Sequence, residues 1–196
     1  MKKICFKRAY KRICSRGFDL NNLSEKQNAI YIYQDALYIE AGPSAEDSLR
    51  KKEYFYAYCG QFKRATVKIL RECKEEYLIV GKFNDFLHYY EPWSNIEQLE
   101  NYQVLRKLFH GNVARVFRFP DEHRILDCLI ENGFRYLSNL CLYMPKSNLL
   151  LRFECHSQLI VYTTNIEDTH KKLQQWIGKD FAMHVHTNEP ANNTTN

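Results

Sequence analysis

Apolar side chains recur along this chain in two rhythms, every second residue and every third or fourth, and the order of these stretches sets the expected architecture. Residues 2–15 place Phe6, Tyr10 and Ile13 at helical spacing, with Lys3, Lys7 and Lys11 together on another face, the pattern of a basic amphipathic helix. Residues 29–41, AIYIYQDALYIEA, alternate Ile and Tyr on either side of Gln34-Asp35 and read as a β-hairpin. Ser24 with Gln27 three residues on has capping-box spacing and leaves a helix open for the same stretch. Gly42-Pro43 breaks the chain, and Ser44 with Asp47 starts a helix expected to run toward Tyr58 and stop near Gly60. Segments 65–70 (ATVKIL) and 77–82 (YLIVGK) read as two strands joined by RECKEE, with a helix from Thr66 as the alternative for the first.

The second half is more sharply patterned. Ser94 and Glu97 form a capping box before Ile96, Leu99, Leu105, Leu108 and Phe109, which predicts a helix over 95–109 ended by Gly111. Residues 113–119 (VARVFRF) read as a strand, and Pro120 opens a helix that carries Ile125, Leu126 and Leu129 and closes at Asn132-Gly133. A strand over 135–144 and a turn at Pro145–Asn148 follow, then 149–163 as one long strand or a tight hairpin across His156-Ser157. Asn165 caps a helix over 166–177 with Leu173 and Trp176 inward, Gly178 ends it, and 181–187 (FAMHVHT) is the last strand. This β-α-β-β-α-β order is the ferredoxin-like arrangement. The expected class is therefore α+β. Residues 1–92 form a mixed α/β half, 93–111 a connecting helix, 112–187 a ferredoxin-like βαββαβ sandwich and 188–196 a disordered tail.

Composition changes this picture little: 196 residues, 45% hydrophobic and 26% charged, with 7 Gly and 5 Pro, describe a folded globular chain and exclude a disordered or collagen-like one. Charge changes it more. The net +5 is concentrated in residues 1–16, where Lys2, Lys3, Lys7, Arg8, Lys11, Arg12 and Arg16 stand with no acid among them. The rest of the chain is slightly acidic. The ordinary explanation is a first helix packed on the domain with its charges in water. The functional one is attraction to phosphates, on nucleic acid or on an anionic membrane surface.

Seven cysteines, an odd number without a CxxC pair, point to a reduced compartment, and no stretch reads as a secretory signal or approaches the ~20 apolar residues of a membrane span. The expected location is the cytoplasm, with no transmembrane segment. The chain contains no P-loop, dinucleotide fingerprint, HExxH or GxSxG, so no catalytic residue is nominated and no cofactor is expected. Strand 181–187 sends His184 and His186 to the face opposite Phe181, Met183 and Val185. Two imidazoles need a third ligand, and Cys155-His156 falls on a strand not adjacent in the ferredoxin-like order, so no metal site is assigned. Arg115, Phe117 and Phe119 share a face of strand 113–119, as in sheets that stack RNA bases, but the Gly-aromatic run of such modules is replaced by LRFECHSQ and burial in the core is the simpler reading. The tyrosines crowded at 54–58 and 89–90 read as core and interface area.

Residues 121–144, DEHRILDCLIENGFRYLSNLCLYM, have a helix ending in Gly133-Phe134 before a strand that closes on aromatic residues. That segment resembles one found in the GNAT acyltransferase superfamily. The resemblance implies an acyl-CoA site in which a Q/R-x-x-G-x-G/A loop offers backbone N–H groups to the pyrophosphate. Gln61 to Thr66 is the nearest match, with Arg64 and Thr66 at the two glycine positions. The first expectation is thus a non-catalytic binding or regulatory protein acting through protein partners. The alternatives are a divergent acyl-CoA-dependent acyltransferase and nucleic-acid binding through Lys2 to Arg16.

Overall fold

The computed structural model describes residues 2–20, 23, 28–34, 45–81, 100–110, 113–119, 123–134, 140–154, 158–178 and 180–187. Eight strands form one sheet: β1 (Lys2–Cys5), β2 (Ala29–Tyr33), β3 (Tyr77–Gly81), β4 (Val113–Arg118), β5 (Cys141–Met144), β6 (Leu149–Glu154), β7 (Gln158–Tyr162) and β8 (His184–His186). The described helices are α1 (Phe6–Cys14), α2 (Ala45–Glu72), α3 (Glu100–Leu108), α4 (His123–Phe134) and α5 (Ile166–Leu173), the last widening into a π turn over Gln174–Gly178. The protein is α+β, as its alternation of periods requires.

Strand order is β1-β4-β3-β5-β6-β7-β2-β8, and every neighbouring pair is antiparallel. It follows that β4 and β5 run parallel with β3 between them and α4 as their crossover, while β7 and β8 run parallel with β2 between them and α5 as theirs. These are two split βαβ units, the parts from which a ferredoxin-like sandwich is assembled. Each, however, closes around a strand from the first 92 residues. The strands of 112–187 therefore do not make the expected sheet of their own, because β2 and β3 occupy the slots that a ferredoxin-like order would fill from within that stretch.

The two faces are covered unequally. On the first lie α2 to α5, and Phe62, Ile69, Leu126, Leu129, Phe134 and Leu173 pack there against Leu78, Val80, Phe117, Leu142, Leu151, Phe153 and Val161. On the second, among the described residues, lie α1 and the segment after it, with Ala9, Ile13, Phe18, Leu20 and Leu23 over Tyr31, Ile79, Ala114, Tyr143, Leu150 and Ile160. Strands buried on both sides explain the dense apolar runs of β5, β6 and β7.

Several boundaries differ from the sequence reading for local reasons. Residues 2–5 leave the expected first helix and pair with β4, Lys2 opposite Val116 and Ile4 opposite Ala114, so only Phe6 to Cys14 is helical. Gly60 does not stop a helix, and 65–70 is not a strand, because α2 continues through both. Phe62, Ala65, Ile69 and Leu70 bury one helical face there. The true end lacks a glycine: Lys74 takes the left-handed position (φ 53°), and the N–H groups of Lys74 and Glu75 donate to Arg71 and Leu70 carbonyls at 2.9 and 3.0 Å. Gly133 is likewise not a stop, since α4 runs on to Phe134. Its role is proximity, because a Cβ at Gly133 would lie 2.5 Å from Phe153 Cβ and 2.7 Å from the Phe153 carbonyl oxygen. Gly133 and Phe134, the fixed points of the acyltransferase-like segment, thus serve helix-on-sheet packing, with the Phe134 ring edge-on to Phe62 at 5.0 Å and to Phe153 at 6.1 Å.

The last strand is shorter than the expected 181–187, because residues 180–182 form a turn with Ala182 at φ 50° and β8 spans His184–His186; other elements hold where described. Asn165 caps α5, its side chain accepting from the Asp168 N–H at 3.3 Å, and 149–163 resolves into the β6–β7 hairpin. The second hairpin strand at 35–41, the Ser24–Gln27 and Ser94–Glu97 caps, Gly111, Pro120, residues 135–139, Cys155 to Ser157 and the tail 188–196 lie outside the described residues. Among the described residues, no helix is long and apolar enough to cross a membrane.

Candidate functional site

The sequence makes α1 amphipathic, and the second face of the sheet uses its apolar side completely. Ala9 and Ile13, four residues apart, are buried against the strands, and Phe6 and Tyr10 are half-buried beside them with ring centroids 6.0 Å apart. Lys7, Arg8, Lys11 and Arg12 are left in solvent, and so are Lys2 and Lys3 on β1 and Arg16 just beyond the helix. None of the seven has a carboxylate partner among the described residues.

These charges do not help the helix that carries them. No side chain caps α1, and its first turn holds no acid but carries Lys7 and Arg8 at the positive end of the helix dipole. Lys7–Lys11 and Arg8–Arg12 are like-charge pairs four residues apart, each unfavourable by roughly 0.2–0.5 kcal/mol. Only Lys11 and Arg12, in the last turn, complement the dipole. The helix is held by burial of Ala9 and Ile13, so its cationic surface is not explained by folding. Lys2 and Lys3 do have an ordinary role as guards of the exposed edge strand β1.

The far end of α1 is anchored over the β5–β6 turn. Ser15 Oγ donates to the Arg12 carbonyl at 2.8 Å, and Gly17 turns the chain at φ 96°, with Thr164 Cγ2 2.9 Å from where a Cβ would stand. Asn148 Nδ2 donates to the Arg16 carbonyl at 3.1 Å, and Asn148 Oδ1 accepts from the buried Tyr143 hydroxyl at 2.9 Å. Burial raises the Tyr143 phenol above its ordinary pKa, while the positive fields of Arg16 and Arg12 oppose the rise. Lys146 and Lys74 extend the basic surface at this end, the Lys146 ammonium donating to the Lys74 carbonyl at 3.3 Å. Glu75, though adjacent, is buried and taken by the Ser147 N–H and hydroxyl at 2.6 and 2.8 Å.

One exposed aromatic residue belongs to this surface and escaped the sequence reading. Tyr77 opens β3 opposite Arg118 of β4, two residues from Ile79, whose side chain packs in the core beneath α1. Alternation puts Tyr77 on the same face as α1. It is 50% exposed and makes no hydrogen bond or ring contact among the described residues. Its strand was legible, but its neighbours were not, because the register of β3 against β4 is a tertiary fact.

The remaining candidates are structural. A cleft of about 470 Å³ between α2, α3 and α4 is lined by Tyr56, Cys59, Glu100, Asn101, Arg124, Asp127 and Glu131. Its polar groups pair with one another: Arg124 with Glu100, Asn101 Nδ2 with Glu131 at 2.5 Å, and nearby Lys63 with Asp127 at 2.7 Å. Cys128, below it, is pushed up to about 11 chiefly by burial, and burial also raises Cys73, so neither is a ready thiolate. The six described cysteines are all free thiols.

Phe117 is buried under α3, 6.3 Å from Phe109, and Arg115 Nε donates to the Leu108 carbonyl at 2.6 Å, so that face of β4 is core. His184 and His186 do share the second face and stack on Tyr33 at 5.1 and 5.6 Å. Among the described residues, no cluster of three His, Cys, Asp or Glu could hold a metal ion, and Cys155 and His156 lie outside them. Gln61 to Thr66 is interior to α2, where backbone N–H groups are spent on the helix and cannot cradle a phosphate. Comparison with family models, curated proteins and solved structures finds no match to the chain.

Proposed function

We propose that this is a non-catalytic binding protein whose contact surface is the basic face of β1, α1 and Arg16, and whose partner is a nucleic acid held through its phosphates. The observation that carries the reading is the set of seven solvent-exposed cations without carboxylate partners among the described residues: four stand on α1, where Lys7 and Arg8 oppose the helix dipole and repel Lys11 and Arg12, and Lys2 and Arg16 flank them, while Lys3 alternates to the other face of β1. Unpaired lysines and arginines on one surface release condensed counterions when they meet phosphates, which is the driving force for such association.

Two other partners are favoured less by the same geometry. A membrane-bound amphipathic helix inserts its apolar side among lipid chains, but Ala9 and Ile13 of α1 are buried in the protein. A protein partner docked on apolar area needs a patch of it, and Tyr56 and Tyr77 are the exposed large hydrophobic residues among those described. An acidic protein surface is kept as an outcome of the test.

The test is fluorescence-anisotropy titration of the full chain with labelled oligonucleotides across 50–200 mM salt (roughly the range over which phosphate contacts are read out), beside anionic vesicles and an acidic polypeptide. Expected is nucleic-acid binding whose log affinity falls linearly with log salt. Lys7→Gln/Arg8→Gln/Lys11→Gln should lower a single-strand slope by about 2. Nucleic-acid binding absent in the wild type, or unchanged in the triple variant, overturns the proposal. Preference for vesicles or for the acidic polypeptide replaces its partner.

A further inference from the structure

We infer that the basic face recognises single-stranded rather than duplex nucleic acid, with one base stacked on Tyr77; this rests on the nucleic-acid reading above and specifies its substrate class. A tyrosine ring half in water at the first position of a strand is unusual only in its surroundings. On one side, across β4, stands Lys2, whose backbone pairs with Val116, next but one to Arg118. On the other, toward β5, Tyr143 pairs through its backbone with Ile79, and Asn148, which accepts from its hydroxyl, donates to the Arg16 carbonyl, so the chain that carries Arg16 is tied to this end of β5. Sheet spacings place Tyr77 roughly 12 Å from Lys2 and about 8 Å from Tyr143, Cα to Cα. The separation from Lys2 matches one to two nucleotides of extended single strand, so a phosphate held on Lys2 leaves a base at the level of the ring.

The chemistry of the ring selects the strand state. A base stacks on an aromatic face only when it is free of its own stack and pair, as in single strands, and such stacking tolerates any base. Duplex offers phosphates to the lysines and arginines but no free base to Tyr77. Two features make Tyr77 more than an exposed side chain. It is fixed by ladder pairing with Arg118 of β4 rather than carried on a loop, and its aromatic face is not used by another ring among the described residues. The Tyr33–His184–His186 cluster is the contrasting case, since there the rings are stacked on one another.

The experiment compares wild type, Tyr77→Ala and Tyr77→Phe for binding to a labelled oligo(dT), to oligo(U) and to a duplex of equal length, at one salt concentration. Because Tyr77 is exposed, Tyr77→Ala leaves the fold intact, checked by circular dichroism and thermal midpoint. Expected is a loss of about ten-fold for Tyr77→Ala on the single strands, within the 1–3 kcal/mol per base that such stacking contributes. Tyr77→Phe should retain affinity, and duplex binding should be unchanged in both. Equal effects of Tyr77→Ala on single strand and duplex, or none on either, with wild-type binding intact, overturn this inference and leave the phosphate reading standing. Wild-type protein that binds no oligonucleotide overturns both.

Discussion

The two faces of the sheet are built to different specifications. The first is covered by four helices whose apolar residues interlock with every central strand, and its polar groups, such as Lys63 with Asp127 and Asn101 with Glu131, are paired inward. The second, among the described residues, is closed by one short helix and the segment following it, with a smaller apolar contact and an outer surface of cations that have no carboxylate partner among those residues. The difference separates charges that neighbours neutralise from charges that the fold does not use. Several charges on the first face are paired with neighbours, Lys63 with Asp127 and Lys172 with Asp168 among them, whereas Lys7 and Arg8 act against the α1 dipole and repel Lys11 and Arg12. Local rules broken without a structural return mark the surface where function is to be sought.

The largest expected break of this contrast is on the first face. Gly133→Ala drives a methyl into Phe153 Cβ and its backbone carbonyl, which no rotamer change relieves, and should destabilise by about 3 kcal/mol or more in urea unfolding. The same change at Gly60, where a Cβ meets nothing closer than Arg64 Nη1 at 3.8 Å, should instead stabilise by roughly 0.5–1 kcal/mol. Next comes the second face: Ile13→Ala removes a fully buried contact and should cost about 2–3 kcal/mol, the low part of the usual range because so thin a cover can collapse. It should also weaken oligonucleotide binding, since it loosens the helix that presents the cations.

Alkaline pH provides a third measurement, again on the first face. The buried Cys128 thiol is raised from 9.0 to about 11, so above pH 9 the unfolded chain loses a proton that the folded chain keeps. Stability from this group is complete below pH 9, falls as pH rises, and is lost through about pH 11, a loss of roughly 2–3 kcal/mol. Urea midpoints at pH 8 and pH 10.5 should therefore converge less in the wild type than in Cys128→Ala, whose pH dependence lacks this contribution. The smallest effect is on stability at α1: Lys7→Gln/Arg8→Gln/Lys11→Gln should change it by no more than about 0.5 kcal/mol, in the stabilising direction, because repulsion is relieved. A loss above 1 kcal/mol (more than about twice the usual limit for surface changes) would show that these side chains serve the fold, and would erase the distinction between the faces.

Much of the local structure was legible. The Asn165 cap, the β6–β7 hairpin, the apolar stripe of α1 and the inward alternation of Met183 and Val185 follow from side-chain period and capping chemistry alone. Two of the misreadings share a cause, the use of glycine as punctuation. Gly60 and Gly133 sit within helices, and the helix that does end at Glu72 turns on Lys74 in a left-handed conformation that sequence statistics reserve for glycine and asparagine. At the proposed surface, the seven cations were visible as a cluster in sequence. Tyr77 was visible only as a strand residue, because nothing local says which side chains a strand will meet.

By itself, then, the sequence determined the class of fold, the amphipathic character of α1 and the local excess of positive charge, since each depends on residues a few positions apart. Tertiary structure decided how β2 and β3 insert into the two split βαβ units, and that the apolar stripe of α1 is spent on the sheet while its charges face water. It also decided that Tyr77 stands among them. Such pairings join residues tens of positions apart, and their register is chosen by burial on two faces at once, a competition that no single window of sequence contains.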